Sequence, residues 1–191
     1  MTVVTTAPTR PSPVTPEDML RLSDDGRLYE LVDGRLVEKE MSDLAQFVAN
    51  RLKRLLDEWC VRSGAGAVLV EATYQCFAHA PEMVRRPDFS FISSHRLRDY
   101  AWGRGHFTIA PDLAAEVVSP RDEVYELDRK IADYFRAGVR RVWVINPEQQ
   151  TVRTHRAPGD LAELVGAAEL ADDAVLPGFR CQLSALFAPP Q

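Results

Sequence analysis

The feature that most limits the fold of this chain is a strand, helix and strand in immediate succession. Asp112 to Val118 is a short apolar run closed by Ser119-Pro120. Asp122 to Ala137 carries Val124, Leu127, Ile131, Tyr134 and Phe135 at helical spacing before Gly138, and Arg141-Val142-Trp143-Val144-Ile145 is again apolar and β-prone. Two strands joined through a helix lie parallel with a right-handed crossover, so the chain must build a mixed α/β sheet with a helix on its face. A single domain is expected for 191 residues, 46% of them hydrophobic.

Other elements extend this unit. Thr15-Pro16-Glu17-Asp18 starts a short helix after a Thr- and Pro-rich tail over residues 1–14, which leaves 15–191 as the folded domain. Leu28 to Val32 and Arg35 to Glu38 flank Asp33-Gly34, a turn pair suited to a tight hairpin. Ser42 caps a helix whose Leu44, Phe47, Val48, Leu52, Leu55, Leu56 and Trp59 form one apolar stripe. Ala67 to Ala78 and Asp88 to Ile92 are expected as strands, Ser93 to Thr108 as a loop, and Thr151 to His155 as an outer strand. Leu176-Pro177-Gly178-Phe179 leads into a short apolar end.

Within this frame Glu116 stands out. Alternation puts Leu113, Ala115 and Val117 on one face of its strand and Glu116 with Val118 on the other. A carboxylate among Ala and Val must be paired, bound to a cation or opened to water. Lys130 lies about 12 Å along the following helix at 1.5 Å per residue, and Glu116 about 13 Å back along the strand, so the two are level. Asp88 heads its strand behind Arg85-Arg86-Pro87, where proline suits a first strand position. If that strand pairs beside 112–118, both carboxylates face one pocket. Two acids and a lysine suit hydrolysis of a phosphodiester with Mg²⁺, which takes few carboxylates and completes its shell with water and phosphate oxygen. The competing reading is an ordinary salt-bridge network.

Several classes drop out. No run approaches the roughly 20 apolar residues of a membrane helix, and the N-terminus lacks the apolar run of a signal peptide, so a cytoplasmic protein is expected. Cys60, Cys76 and Cys181 fit neither metal spacing nor a disulfide framework. Gly103-Arg104-Gly105-His106 has no nucleotide-loop spacing, Ser93-Ser94-His95 no nucleophile elbow, and the four histidines no zinc pairing. The net charge of −5 is uneven: −4 over residues 1–84, +3 over 85–156 and −4 over 157–191. The middle segment, which contains Asp88, Glu116 and Lys130, is the one suited to polyanions.

The ordered set Arg86-Pro87-Asp88-Phe89-Ser90-Phe91-Ile92, Glu116-Val117-Val118-Ser119-Pro120, Lys130 with Tyr134 and Gly138, Val142-Trp143-Val144-Ile145-Asn146-Pro147 and Leu176-Pro177-Gly178-Phe179 resembles the Uma-two family of restriction-endonuclease-like proteins, within the PD-(D/E)XK nuclease superfamily. The resemblance runs from about Tyr29 to Phe187. It implies a restriction-endonuclease-like mixed sheet flanked by helices, and an endonuclease that uses Mg²⁺ or Mn²⁺ on DNA. Asp88, Glu116 and the carbonyl of Val117 would be metal ligands, and Glu30 an early acidic position of the site. The superfamily lysine usually stands two residues after the second acid, where this chain has Val118; Lys130 matches the lysine of the following helix instead. A histidine common near the start of the long helix is replaced here by Ser42-Asp43-Leu44-Ala45-Gln46. Tyr134 and Arg86 are candidates for substrate contact, and related nucleases suggest a homodimer. The alternative is a non-catalytic module that keeps the fold to bind nucleic acid or protein.

Overall fold

The computed structural model describes residues 13–22, 26–120 and 122–189. The expected tail, residues 1–14, lies outside them except for Pro13 and Val14. Val14 is docked: its N–H donates to the Gly34 carbonyl at 3.0 Å, and its side chain packs with Met19 and Leu31.

In chain order the elements are α1 (Pro16–Arg21), β1 (Leu28–Val32), β2 (Arg35–Lys39), α2 (Asp43–Ser63), β3 (Gly66–Val70), β4 (Phe89–Ser93), α3 (Ser94–Leu97), β5 (Leu113–Val117), α4 (Val124–Arg136), β6 (Arg141–Asn146), β7 (Thr151–Ala157), β8 (Asp160–Leu164), β9 (Glu169–Asp172), β10 (Leu176–Gln182) and α5 (Leu183–Phe187). Six of them form the main sheet, in the order β3-β4-β5-β6-β7-β8. The crossover through α4 leaves β5 and β6 parallel, as the sequence pattern requires; every other neighbour pair in the sheet is antiparallel.

Each face is covered by one long helix. The α2 stripe of Val48, Leu52, Leu56 and Trp59 packs on Phe89, Phe91, Leu113, Ala115, Val117, Trp143 and Ile145, and Leu176, Phe179, Leu183 and Leu186 from β10 and α5 close that layer. Burying each of these large side chains stabilises the fold by about 1.5–3 kcal/mol. Ser42 caps α2 by accepting the Ala45 N–H at 3.3 Å, and Gly64 ends it in the left-handed conformation. On the other face Tyr134 of α4 packs with Ile92, Ala114, Val139 and Val142. This face also holds the polar side chains of β4 and β5.

The β1–β2 hairpin turns through Asp33 and Gly34, both at positive φ, as a type I′ turn demands. Reciprocal bonds between Leu31 and Val84, at 2.8 and 2.9 Å, tie it to the segment that leads into Asp88. Three expectations change. The strand expected over Ala67 to Ala78 stops at Val70, because Glu71 takes a positive φ of 50° and turns the chain out of the sheet. The loop expected over Ser93 to Thr108 opens with the short helix α3. Beyond His155 the sequence marks only Leu176 to Phe179 and a short apolar end, whereas the chain forms β8, β9, β10 and α5.

Gly66, at the start of β3, is a position where only glycine fits. A Cβ there would lie 2.2 Å from the Ile92 carbonyl oxygen and 2.7 Å from the Phe91 ring. Gly66→Ala is therefore expected to lower stability by about 1–3 kcal/mol in urea denaturation, since backbone has to move. An unchanged midpoint would contradict the close β3–β4 approach.

Candidate active site

Asp88 and Glu116 meet because of strand register. Phe89 pairs with Ala115 in the antiparallel β4–β5 ladder, so the residue before Phe89 faces the residue after Ala115. The two carboxylates thus sit opposite each other on the α4 face, 3% and 4% exposed. Asp88 Oδ2 accepts the Val117 N–H at 2.5 Å, which fixes its orientation.

Lys130 reaches down from α4. Its ammonium lies 3.2 Å from Glu116 Oε2 and 3.2 Å from Glu30 Oε1. One turn further along α4, the Tyr134 hydroxyl donates to Glu116 Oε1 at 2.6 Å. Both oxygens of Glu116 are therefore engaged by the helix that follows its own strand. Burial pushes the Glu116 carboxyl up, with the Asp88 charge adding to it, while Lys130 and Lys39 pull the other way; the net direction is upward. Burial likewise raises the Tyr134 hydroxyl well above its ordinary value, helped by Glu116, so it stays a donor.

Glu30 sits in β1 with both oxygens committed. It accepts Arg85 Nη1 at 3.0 Å and the Arg86 N–H at 2.9 Å, beside the Lys130 contact. Burial alone would raise its carboxyl, but Lys130, Arg85 and Lys39 outweigh that and hold it below the ordinary range. Arg85, itself buried, continues the chain to Asp133 through Nε at 3.1 Å and Nη2 at 2.5 Å, and His79 Nε2 lies 3.2 Å from the other Asp133 oxygen. Arg86 is engaged by backbone: its Nε and Nη1 donate to the carbonyls of Tyr29 and Glu71 at 3.1 and 3.0 Å. It does not line the cavity described below, and its geometry is that of a clamp between the hairpin and the end of β3.

Two residues of the cluster escape sequence reasoning. Lys39, the last residue of β2, contacts Asp88 Oδ1, stands 3.7 Å from Glu116 Oε2 and from Glu71 Oε2, and donates to the Arg86 carbonyl at 2.8 Å. Burial would lower its ammonium, but Glu116, Asp88 and Glu71 hold it far above the usual lysine range, so it is a fixed positive charge. Glu71 falls inside the strand expected over Ala67 to Ala78, which ends at Val70. A signal existed: it is a lone acid in the run Ala67-Val68-Leu69-Val70-Glu71-Ala72, the same argument that singles out Glu116.

The cluster opens on a cavity of about 560 Å³ lined by Glu30, Lys39, Asp88, Glu116, Val117 and Lys130, with Arg35 and Arg129 among its basic residues and Glu38, Glu40, Asp122, Glu123 and Glu126 among its acids. Nine acids against five bases line it. Part of the basic surplus of the middle segment is spent elsewhere, since Arg96 and Arg140 face Asp112, and at the cavity itself Arg129 is paired with Asp33. Among the described residues no three His, Cys, Asp or Glu side chains form a ready-made metal cage, because the two lysines stand between the carboxylates. Yet Asp88 Oδ1 and Glu71 Oε2 are buried without a hydrogen-bond donor in proper geometry, faced only by the Lys39 charge. Hard, under-satisfied carboxylate oxygens of this kind fit a divalent cation.

A six-stranded mixed sheet with a helix on each face is the architecture of a restriction-endonuclease-like fold. The chain belongs to the Uma2 family, described as "Putative restriction endonuclease", whose model matches residues 16–186. Its fold is similar to the crystal structure of a protein described as "a putative nuclease belonging to DUF820" from Anabaena variabilis ATCC 29413, with a TM-score of 0.78 at 19% identity over 92% of this chain and 98% of that one. The DrdV–DNA complex also aligns, with a TM-score of only 0.32 at 14% identity over 76% of this chain and 14% of that one. No curated protein matches the sequence.

Burial raises the Glu71 carboxyl to about 7, against the ordinary 4.5, with Asp88 adding to the shift and Lys39 opposing it. A carboxyl raised in the fold contributes stability that is full below about pH 4.5 and lost as pH rises through about 7. Glu71→Gln is therefore expected to gain about 1–3 kcal/mol over the native chain on going from pH 5 to pH 8, in urea denaturation with chelator present. An identical difference at both values would show that Glu71 ionises freely.

Proposed function

We propose that this chain is a divalent-metal-dependent endonuclease acting on DNA phosphodiester bonds. The observation that carries this reading is the opposition of Asp88 and Glu116 across β4 and β5, with Lys130 level with both at the cavity floor. Asp88, Glu116 and the Val117 carbonyl would hold Mg²⁺ or Mn²⁺, which supplies polarisation of the phosphate and a more acidic water. The acid-rich lining supports a need for such an ion, because a bare phosphodiester would be repelled there.

The protein's own groups then have distinct roles. Lys130, shared by Glu116 and Glu30, supplies a positive charge toward developing negative charge on phosphate or leaving oxygen. It takes the part that Val118 cannot play. Glu30 positions Lys130, since Arg85 and the Arg86 N–H hold its carboxylate in place. Tyr134 holds one Glu116 oxygen by hydrogen bond and so aims the other at the cavity. Cutting both strands of a duplex calls for two such sites, which a homodimer would supply. Among the described residues no helix is long and apolar enough to cross a membrane.

The test is cleavage of plasmid DNA and of single-stranded DNA with Mg²⁺ or Mn²⁺. Glu116→Gln and Lys130→Met are each expected to lower the rate at least about 100-fold while the folded state survives by circular dichroism. Cleavage by both variants at the native rate would remove the enzymatic reading. A second reading has one observation on its side: Lys39 and Lys130 already neutralise the acids, as in a non-catalytic binding module that keeps the fold. Calorimetry with Mn²⁺ separates the two, since only the nuclease requires uptake that Asp88→Ala abolishes.

A further inference from the structure

The chain has three lysines against twenty arginines, and two of the three stand in this one cluster. Lys130 has a place in the nuclease reading, and Lys39 does not. Yet Lys39 is the more deeply engaged, with 11% of its side chain exposed against 17% for Lys130. Around its nitrogen lie carboxylate oxygens of Asp88, Glu116 and Glu71 and the carbonyl oxygen of Arg86, drawn from three separate parts of the chain. Three carboxylates and a carbonyl are the oxygen donors a hard divalent ion takes. A lysine is also the side chain that can imitate such an ion, being a compact point charge where arginine would present a planar fork.

Lys39 has somewhere to go. It ends β2 at the edge of the cavity, and Glu38 and Glu40 on either side of it, with Asp122 and Glu123 beyond, line the same space. An ammonium leaving Asp88 would find acidic partners there.

We propose that Lys39 is a tethered resident cation in the seat formed by Asp88, Glu116, Glu71 and the Arg86 carbonyl, that a divalent ion enters only as Lys39 withdraws, and that Glu71 then serves as a third carboxylate ligand. This rests on the metal-dependent reading above. The reason is exclusion: an ion within about 2.1 Å of these oxygens would lie close against the Lys39 nitrogen, and two cations do not share one seat in a buried site. Metal uptake is then an exchange, and the apparent affinity is lowered by the fraction of molecules in which the lysine has left. The metal-free protein keeps its acids neutralised, and the ion binds reversibly.

The exchange is read directly on the native chain by competitive lysine acylation and mass spectrometry, with and without Mn²⁺ at a saturation set by calorimetry. Lys53, in a half-exposed pair with Asp57 on α2, is the internal standard. Acylation of Lys39 is expected to rise about ten-fold or more on metal binding while Lys53 stays constant. Bound metal with Lys39 equally or better protected would overturn the exchange and leave the metal reading intact; no heat of metal binding at all would overturn both. In parallel, Lys39→Met is expected to bind Mn²⁺ about ten-fold more tightly than the native chain, and Glu71→Gln more weakly. Should Lys39→Met be unfolded in chelator, Mn²⁺ is expected to refold it. Equal affinity of a folded variant, or no refolding with Mn²⁺, would contradict the proposal.

Discussion

Everything at the functional end of this molecule follows from one cost: carboxylates buried on the face of a sheet. Asp88 and Glu116 lie opposite one another where two antiparallel strands meet, with Glu30 and Glu71 beside them. Isolated, such charges would not survive burial. Here Lys130, Lys39 and Arg85 interleave with them, and Tyr134 and two backbone N–H groups add hydrogen bonds to Glu116, Glu30 and Asp88. Removing one partner of a buried pair costs about 3–5 kcal/mol because the other is left uncompensated. A hydrophobic replacement of the whole cluster would be the simpler way to stabilise the sheet. That the cluster is nonetheless ionic is what marks it as a site.

The fold is arranged so that these charges converge. The crossover from β5 through α4 to β6 lays α4 back along the strand that carries Glu116, so that residues 130 and 134, one turn apart, both reach its carboxylate. The β1–β2 hairpin is stitched to Val84 and clamped by Arg86, and it delivers Glu30 from one strand and Lys39 from the end of the other. Three independent pieces of backbone therefore meet at one place. Their shared dependence on the Arg85–Asp133 bridge ties α4 to the segment before Asp88.

How much of this was legible depended on whether local pattern carried it. The parallel β5–β6 pair follows from a strand, helix and strand with clear periodicity, and Glu116 declares itself because an acid breaks an apolar strand. The rises point to the meeting of Lys130 with Glu116, but β5 ends at Val117 and α4 starts at Val124, so the intervening turn and the long lysine side chain close the remaining distance. Lys39 and Glu71 were not legible in the same way. Both sit at strand ends whose side-chain direction depends on tertiary geometry: Glu71 turns inward only because its φ is positive, and Lys39 only because the hairpin docks on Val84. Arg86, a candidate for phosphate in the sequence, is held by backbone carbonyls that no pattern foretells. The basic surplus of residues 85–156 misleads for a related reason, since Arg96 and Arg140 pair with Asp112, and Arg141 with Asp172, away from the cavity.

The central claim is that Asp88 and Glu116 form one cation seat. Anomalous diffraction from a Mn²⁺-soaked crystal tests it most directly. The account predicts a peak within about 2.2 Å of oxygens from both carboxylates. A fully soaked crystal with no peak between Asp88 and Glu116, and with Lys39 still in contact with Asp88, would contradict it.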